Sequence, residues 1–270
     1  MNHSDINRRF WNAYASEWVE RGREAWASEE PYWGIWSIPQ ADIALLDDDL
    51  SGCLAVELGC GTGYVSRWME KRGAEVFSLD VSDEQLRSAE TFKETNASGI
   101  HLIHGNAEQL PFNNESVDYA VSEYGAAIWC DPYRWVPEAA RVLKPGGRLR
   151  FWGHSPWAMI CLDANDEAVT HVLRRSYFGL HRLDFTEAAV DPGGVEFNLP
   201  ISDWLQLFAA NGLIVERFLE VKAPPSARGE EFGSDAEWAK RFPAEQAWWL
   251  RKAPSPQRQA ALMTGCFMRS

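Results

Sequence analysis

The chain has 270 residues, 46% of them hydrophobic, which is enough to bury the core of one large domain with or without an insertion. Its 39 acidic and 26 basic residues give a formal net charge of −13, and such a surface repels phosphate backbones and anionic membranes. Because the densest basic groupings are only the pairs Arg8-Arg9 and Arg174-Arg175, we expect no nucleic acid partner.

The cysteines and the apolar runs narrow the class of protein further. The five cysteines are odd in number and no two have CxxC spacing, so we expect neither a disulfide framework nor a bound metal. No apolar run approaches the roughly 20 residues that span a bilayer. The first residues also lack an apolar stretch of signal-peptide length, so the sequence predicts a cytoplasmic protein without a membrane span.

Residues 1–40 are predicted to form a helical cap that is rich in aromatic side chains. Phe10, Tyr14 and Trp18 recur every four residues and therefore share one face of a helix. Gly34 and Pro39 then break the pattern, and a short helix is predicted at residues 41–46.

Strands and helices alternate over the next part of the chain. Short apolar runs predict strands at residues 53–58, 75–80, 101–104, 117–122 and 148–152. Helical patterns lie between them at residues 64–72, 82–95 and 135–143. Ser82 is an N-cap for the second of these helices, and Gln85 completes a capping box. The alternation predicts an α/β fold whose ligands bind at the carboxyl ends of parallel strands.

The alternation of strands and helices is interrupted at residues 154–200, which we interpret as an inserted lid. Later patterns predict a helix at 201–211, a strand at 213–221, helix on both sides of Pro243 over 235–252, and a last strand at 263–268. We therefore expect a doubly wound, seven-stranded and mostly parallel sheet in a single domain over residues 1–270. Its parts are the cap (1–40), a cofactor-binding core (41–153), the lid (154–200) and the rest of the core (201–270).

A glycine-rich turn follows the first core strand and carries the strongest functional signal. It reads Glu57-Leu-Gly-Cys-Gly-Thr-Gly63, with glycines where a backbone must approach a ligand closely and a helix start that offers free N–H groups. A dinucleotide site would have a third glycine where this chain has Tyr64. Glu57 suits a cationic amino group better than a phosphate. Taken alone, the turn is also compatible with a tight loop that binds nothing.

Asp80 supplies a second element of the same site. It ends the next strand, about 20 residues after the glycine turn, where a carboxylate can accept hydrogen bonds from both ribose hydroxyls. The alternative is a helix-capping role, but Ser82 and Asp83 already suit that role.

These residues resemble the motifs of a known family. Glu57-Leu-Gly-Cys-Gly-Thr-Gly63 is similar to the first motif of class I S-adenosylmethionine-dependent methyltransferases. Residues 105–112 resemble the adenine-side segment of that family, and residues 139–149 resemble a later motif. The most similar subgroup contains small-molecule enzymes like the ubiquinone/menaquinone-biosynthesis methyltransferases. The resemblance covers roughly residues 50–155 and implies a Rossmann-like fold that binds S-adenosylmethionine and releases S-adenosylhomocysteine.

The resemblance also implies roles for particular residues at the cofactor. The glycine turn would hold the methionine part, Asp80 the ribose and Val81 the adenine ring, and Asn106 with Ala107 would read the adenine edge. The family commonly has Asp where this chain has Asn106, but an amide carbonyl can still accept from the adenine amino group. The full set of expected cofactor residues is Glu57, Gly59, Cys60, Gly61, Gly63, Asp80, Val81, Gln85, Asn106, Ala107, Glu108 and Glu123. Cys60 is interpreted as a small turn residue, not a nucleophile.

The acceptor side of the site is less defined by sequence. Glu123 and Tyr124 follow the fourth core strand and His154 ends the fifth, so these three are the candidate catalytic residues, with His154 as the candidate base. Each histidine has the alternative of a purely structural position. The predicted substrate pocket consists of Tyr14, Trp18, Trp33, Trp129, His154, Trp157 and His171.

The sequence therefore predicts methyl transfer to a small aromatic or apolar molecule by in-line displacement, a reaction that requires mainly positioning. Two other classes stay open. One is a non-catalytic partner subunit that binds S-adenosylmethionine, since positioning leaves no obligatory catalytic residue to find. The other is an NAD-dependent oxidoreductase, against which Tyr64 argues. The oligomeric state is not predicted.

Overall fold

The computed structural model describes residues 2–163, 168–188 and 193–254. The strands, in chain order, are β1 (Tyr32–Trp33), β2 (Ile38–Pro39), β3 (Leu54–Leu58), β4 (Glu75–Asp80), β5 (His101–His104), β6 (Val117–Glu123), β7 (Leu143–His154), β8 (Leu162–Asp163), β9 (Ala168–Val169), β10 (Arg182–Asp184), β11 (Val195–Phe197), β12 (Leu213–Val221), β13 (Glu230–Glu231), β14 (Ser234–Asp235) and β15 (Glu245–Lys252).

The helices are α1 (His3–Tyr14), α2 (Val19–Ala27), α3 (Gln40–Ile43), α4 (Tyr64–Lys71), α5 (Asp83–Thr95), α6 (Ala126–Trp129), α7 (Pro132–Val142), α8 (Pro156–Cys161), α9 (Ile201–Ala210) and α10 (Ala236–Ala239). A 3₁₀ turn at Ala15–Trp18 joins α1 to α2. Among the described residues, none of the helices has the length and apolar character needed to cross a membrane.

Seven strands form the central sheet, in the order β12-β15-β7-β6-β3-β4-β5. The neighbours from β7 to β5 run parallel, whereas β15 is antiparallel to both β7 and β12. The predicted doubly wound, seven-stranded and mostly parallel fold is therefore confirmed. The chain reverses its direction of progress across the sheet between β3 and β6, and ligands bind at such a switch point.

The antiparallel side of the sheet shows the largest error of the sequence prediction. Residues 235–252 were predicted to be helical, but only the four-residue helix α10 forms before Pro243, and β15 follows as a strand. Because β15 lies between β7 and β12 and is buried on both faces, its residues Ala247–Leu250 are apolar without alternation. Such a run cannot be distinguished from a buried helix by periodicity. The strand predicted at residues 263–268 lies outside the described residues.

Several boundaries also differ from the prediction. The helix expected at residues 41–46 is the single turn α3, which Ala44 ends with a left-handed φ of 53°. The helix expected at 135–143 begins earlier as α7, since Asp131 caps it by accepting from the Tyr133 N–H at 3.0 Å. The strand expected at 148–152 is the longer β7, which begins at Leu143 and ends at His154.

Most of the large aromatic side chains pack in the two apolar layers that cover the sheet. Six tryptophans are among the largest fully buried side chains, namely Trp33, Trp68, Trp135, Trp152, Trp204 and Trp248. Burial of rings of this size dominates the stability of a core. Much of the high tryptophan content is therefore explained by packing of the core.

The N-terminal cap is fixed to the lid by a buried asparagine. Asn7 of α1 is 2% exposed, and its Nδ2 donates to the carbonyl oxygens of Trp129 at 2.9 Å and Val195 at 2.8 Å. Its Oδ1 accepts from the Val195 N–H at 2.7 Å. One side chain thus satisfies three backbone groups that burial would otherwise leave unpaired, and it holds α1 against the hairpin β10–β11.

Candidate functional site

A cavity of about 630 Å³ lies at the carboxyl ends of β3, β4, β6 and β7. It is lined by the N-terminal cap, the glycine turn after β3, the ends of these strands, the segment 105–108, and the hairpins β10–β11 and β13–β14. Its position coincides with the switch point of the sheet, and its size is ordinary for a small-molecule site.

Two glycines shape the turn after β3. Gly59 has φ of 78°, and a Cβ atom there would lie 2.7 Å from the Gly125 Cα, so no larger residue fits. Gly61 has φ of 51°, but a Cβ atom there would meet no atom closer than the Gln85 Oε1 at 3.8 Å. Gly59 therefore brings two chain segments together, and Gly61 leaves room on the cavity side. Gly63, also expected at the cofactor, is the N-cap of α4 and is not part of the cavity lining.

Asp80 connects the glycine turn to helix α5. Its Oδ2 accepts from the Gly61 N–H at 2.8 Å, and its Oδ1 accepts from the Ser82 N–H at 2.8 Å. The predicted capping box forms only in part: the Ser82 Oγ accepts from the Gln85 N–H at 3.2 Å. The Ser82 N–H donates to Asp80 and not to the Gln85 side chain. Burial raises the pKa of the Asp80 carboxyl. Each oxygen keeps a lone pair for a further donor in the cavity.

Glu57 is buried beneath the turn, with 2% of its surface exposed. Its Oε2 accepts from the Ser66 N–H at 2.7 Å and from the Ser66 Oγ at 2.5 Å, which ties it to the first turn of α4. Burial, with a smaller contribution from the charges of Glu123 and Asp80, raises the pKa of Glu57 to about 8. A cationic ligand group beside this carboxylate would reverse the shift.

The segment 105–108 is tied to the cap. The Asn106 Oδ1, expected to accept from an adenine amino group, accepts from the Glu108 N–H at 2.9 Å, and the Nδ2 donates to the Ser4 Oγ at 3.1 Å. Glu108 accepts from the Asp131 N–H at 2.8 Å and lies 2.5 Å from the His3 Nε2. These two predicted cofactor residues thus line the cavity and also anchor α1.

Strand β6 ends in two polar residues that face the cavity. The Glu123 Oε2 accepts from the Tyr64 hydroxyl at 2.5 Å, and its Oε1 accepts from the Gly34 N–H at 3.2 Å. Tyr124 has φ of 49°, which is costly for a bulky residue. Its hydroxyl donates to the Glu245 Oε1 at 2.7 Å. Strain of this kind is typical of a functional position that the surrounding structure over-determines.

Glu245 is a residue that the sequence did not reveal. It is fully buried at the start of β15, and its Oε1 also accepts from the Trp152 Nε1 at 2.7 Å and the Ile35 N–H at 3.0 Å. Its Oε2 is buried without a hydrogen-bond partner, and burial raises the pKa of Glu245 to about 7. It could not be found from sequence because residue 245 fell inside a predicted helix.

His154 and Glu196 lie together on the cavity wall. The His154 Nε2 is 4.0 Å from the Glu196 Oε2, and the Nδ1 is 3.5 Å from the Tyr124 hydroxyl oxygen. Burial lowers the pKa of His154 to about 4, so the ring is neutral at pH 7. Burial raises the pKa of Glu196 to about 7, against the opposing charge of Arg175. Glu196 was also missed, since no motif in the lid sequence marks this residue.

Of the aromatic residues predicted for the pocket, Tyr14, Trp18 and Trp129 line the cavity. Phe10 and Trp11 extend this face, with ring centroids 5.7 Å and 5.1 Å from that of Trp129. Phe232, which was not predicted, stacks on Trp18 at 5.7 Å.

Three predicted pocket residues lie elsewhere. Trp33 is fully buried in the core and donates to the Gln40 Oε1 at 2.8 Å. Trp157 is exposed on the surface, where it stacks on Tyr177, and His171 is an exposed residue that packs against Phe242. Aromatic content marks a residue for packing but does not tell a core from a cavity.

We distinguish two walls of the cavity and name each by the ligand that the sequence analysis predicts for it. The cofactor wall consists of Glu57, residues 59–62, Asp80, Val81, Gln85 and residues 105–108. The acceptor wall consists of Tyr124, His154, Glu196 and the rings of Phe10, Trp11, Tyr14, Trp18, Trp129, Phe185 and Phe232.

The chain is similar to known methyltransferases over the part that carries the cofactor wall. Residues 56–151 match the family model described as a methyltransferase domain. An uncharacterized methyltransferase of Mycobacterium bovis is 36% identical over 145 residues, which are 54% of this chain and 51% of that protein. A chloroplastic 2-methyl-6-phytyl-1,4-hydroquinone methyltransferase of Oryza sativa is 36% identical over 118 residues, covering 42% of this chain and 35% of that protein.

A solved structure extends the likeness to the fold. The crystal structure of an S-adenosylmethionine-dependent methyltransferase from Mesorhizobium loti superimposes with a TM-score of 0.61 at 23% identity, covering 79% of this chain and 96% of that one. Over residues 56–151 the chain is therefore similar to methyltransferases, which confirms the predicted resemblance, and the superposition confirms the predicted Rossmann-like fold. The chain spans about half the length of the first of these curated relatives.

Proposed function

We propose that this protein transfers a methyl group from S-adenosylmethionine to a small molecule held against the acceptor wall, and that it does so in the cytoplasm. The observation that carries the proposal is the coincidence of two features. The segment that matches methyltransferases builds the cofactor wall, and that wall faces an aromatic wall across one cavity. The relatives named for a hydroquinone acceptor support a small molecule as substrate.

The residues of the cofactor wall fit S-adenosylmethionine. Gln85 is 3% exposed, and its Oε1 is buried without a partner next to the open side of Gly61. A buried acceptor of this kind costs free energy unless a ligand donates to it. Asp80 keeps two lone pairs for ribose hydroxyls, and the Glu57 carboxylate suits the amino group of the methionine part. When bound, the cofactor supplies a methyl group that is already activated on a positively charged sulfur.

The acceptor wall supplies position and a water-poor space. Its rings cover the apolar part of an acceptor, and Tyr124 fixes the end of β6 through its bond to Glu245. The cap closes over the cavity because Asn7 and Glu108 tie α1 to the lid and to the segment 105–108. Holding the two reactants in line in such a space accounts for most of the catalysis of a group transfer.

Calorimetric titration tests the cofactor directly, with S-adenosylmethionine, S-adenosylhomocysteine and NAD as ligands. We expect the first two to bind and NAD not to bind. Asp80→Asn should weaken binding at least about tenfold, because charge-assisted hydrogen bonds to the ribose are lost. Asp83→Asn, a change in the first turn of helix α5 and outside the cavity lining, is the matched control and should bind as wild type. Binding of NAD alone would overturn the proposal in favour of an oxidoreductase.

Turnover separates an enzyme from a cofactor-binding partner subunit. Release of S-adenosylhomocysteine should depend on an added acceptor. A protein that binds the cofactor but turns over no acceptor from a broad panel of phenols, amines, carboxylic acids and thiols is the non-catalytic alternative.

A further inference from the structure

The cavity places carboxyl groups near the aromatic faces of the acceptor wall. Glu123 and Glu196 are close enough to Tyr124 that both charges add to the burial that raises the pKa of its phenol. Within the described part of the chain, Arg21 is the only lysine or arginine that lines the cavity, and it donates to the Glu231 Oε2 at 3.0 Å. The cavity therefore offers carboxylates to a ligand without offering it a free cationic side chain.

Glu196 is an available carboxylate on the acceptor wall. Its side chain lines the cavity and is 15% exposed, and none of the described residues donates a hydrogen bond to it. The Nε2 of the neutral His154 lies 4.0 Å from the Glu196 Oε2. Arg175, which does not line the cavity, contributes a positive charge that favours the ionised form. By contrast, the carboxylates of Glu57 and Asp80 are tied to backbone N–H groups of the turn and of the helices after it.

Aromatic rings that line the same cavity complete a site for a cation. The ring of Trp129 packs close to Gly194, which precedes the strand that carries Glu196, and Phe10 and Trp11 pack on Trp129. A cation over an aromatic face is attracted by the ring, more strongly where water is excluded. A carboxylate and a group of aromatic faces are together the chemistry that recognises an ammonium group on an apolar body.

We propose that the methyl acceptor is an amine with an aromatic or apolar body, and that Glu196 takes the proton from its ammonium group. The inference rests on the proposed methyl transfer. The proton moves from the amine nitrogen to a Glu196 oxygen, which frees the nitrogen lone pair. That pair forms the new N–C bond as the C–S bond of the methyl donor breaks, and the C–S electron pair goes to sulfur. The product is an ammonium ion with one more methyl group, and Glu196 returns its proton to solvent through the cavity mouth.

Charge selects an amine over the other common acceptors. A phenolate or a carboxylate would lie beside Glu123 and Glu196 and would be repelled by both. An ammonium is attracted before the proton moves, and the amine is neutral when it reacts. His154 is a poor alternative base, because burial lowers its pKa to about 4, whereas the pKa of Glu196 lies at about 7.

The test compares three probes that share a phenyl ring and differ in charge. They are 2-phenylethylamine, 2-phenylethanol and 3-phenylpropanoate, titrated into the full chain saturated with S-adenosylhomocysteine. We expect the amine to bind at least about tenfold more tightly than the other two. We also expect it to be the one that stimulates release of S-adenosylhomocysteine from S-adenosylmethionine. Equal or tighter binding of the alcohol or the acid, or binding of none of the three, overturns the inference.

Glu196→Gln tests the assigned residue, with the exposed Glu187→Gln of the same lid as matched control. Glu196→Gln should abolish the preference for the amine and lower its turnover at least about tenfold, while S-adenosylhomocysteine binds as in wild type. An unchanged preference contradicts the role of Glu196. Loss of cofactor binding by the wild-type protein is a different result, since it overturns the proposed function itself. Cofactor binding without amine preference leaves the proposed function intact.

Discussion

The two walls of the cavity are built in opposite ways. In the cofactor wall, the carboxylates of Glu57 and Asp80 accept hydrogen bonds from the backbone of the turn and of the helices that follow. In the acceptor wall, Glu196 accepts none from the described residues, and the rings come from the cap, helix α6, the lid and the hairpin β13–β14. The first wall is therefore rigid before a ligand arrives, whereas the second relies on the docking of separate segments.

The difference explains how one fold can keep its cofactor and change its acceptor. The cofactor wall depends on strand ends and a glycine turn that the sheet itself positions. The acceptor wall depends on surface segments, whose residues can change without affecting the sheet. The predictions below test whether the two walls respond separately.

The largest effect is expected for Gly59→Ala. The new Cβ would overlap the backbone of Gly125 at 2.7 Å, and the left-handed φ of 78° adds strain. We expect a loss of about 3 kcal/mol or more in the free energy of unfolding, and loss of S-adenosylmethionine binding. Urea unfolding and calorimetry measure the two effects.

Gly146→Ala is the control for Gly59→Ala. Gly146 has φ of 88°, but no atom lies within 4 Å of a Cβ built there. The Gly146→Ala variant should therefore lose only about 1–2 kcal/mol of stability, from the left-handed backbone conformation and not from steric overlap. It should bind the cofactor normally. Equal effects of the two substitutions would show that the contact between Gly59 and Gly125 does not hold the turn.

The cofactor wall was predictable from sequence because its signals are local. Asp80 ends a strand that the apolar run identifies, and the glycines follow their strand directly. The acceptor wall was predictable only in part. The sequence analysis expected Tyr124, His154 and three of the rings there, but Glu196 lies in a segment without a motif. The contact that holds Tyr124 was also missed, because Glu245 meets it across 121 positions of the chain. Trp33 and Trp157 were misplaced for the same reason, since a ring's type does not show whether it faces core, solvent or cavity.

An intermediate effect is expected for Glu57→Gln. The folded protein without ligand holds the Glu57 proton up to a pKa of about 8, against 4.5 for an ordinary glutamate. The folded state therefore binds more protons than the unfolded state between these values, so Glu57 makes stability fall as the pH rises from about 4.5 to about 8. The variant should lose this part of the pH dependence in thermal unfolding.

Cofactor binding should favour the ionised form of Glu57, whereas the folded protein without ligand favours the protonated form. The amino group of S-adenosylmethionine favours the carboxylate, so binding to wild type at pH 7 should release a proton. That release makes the calorimetric enthalpy depend on the ionisation enthalpy of the buffer. Glu57→Gln should abolish the buffer dependence and weaken binding roughly tenfold. The exposed Glu75→Gln at the start of β4 is the control, and a buffer dependence that survives in Glu57→Gln would assign the proton to another group.

The smallest effect is expected at the mouth of the cavity, for Phe232→Ala. Phe232 is 46% exposed and stacks on Trp18, and Arg21 lies over its ring with Cζ at 4.7 Å. Because these contacts are exposed, they contribute about 1 kcal/mol or less to stability. Removing the ring opens the acceptor wall but leaves the glycine turn and Asp80 in place.

We therefore expect Phe232→Ala to raise the acceptor KM by a few-fold, equivalent to about 1 kcal/mol, and to leave the dissociation constant of S-adenosylhomocysteine unchanged. Phe178→Ala, which removes a ring that is 81% exposed and outside the cavity lining, should change neither. If Phe232→Ala weakens cofactor and acceptor equally, the mouth contributes to both walls. In that case the two walls respond separately only at the ends of the strands, where the sheet fixes Asp80 and Glu57.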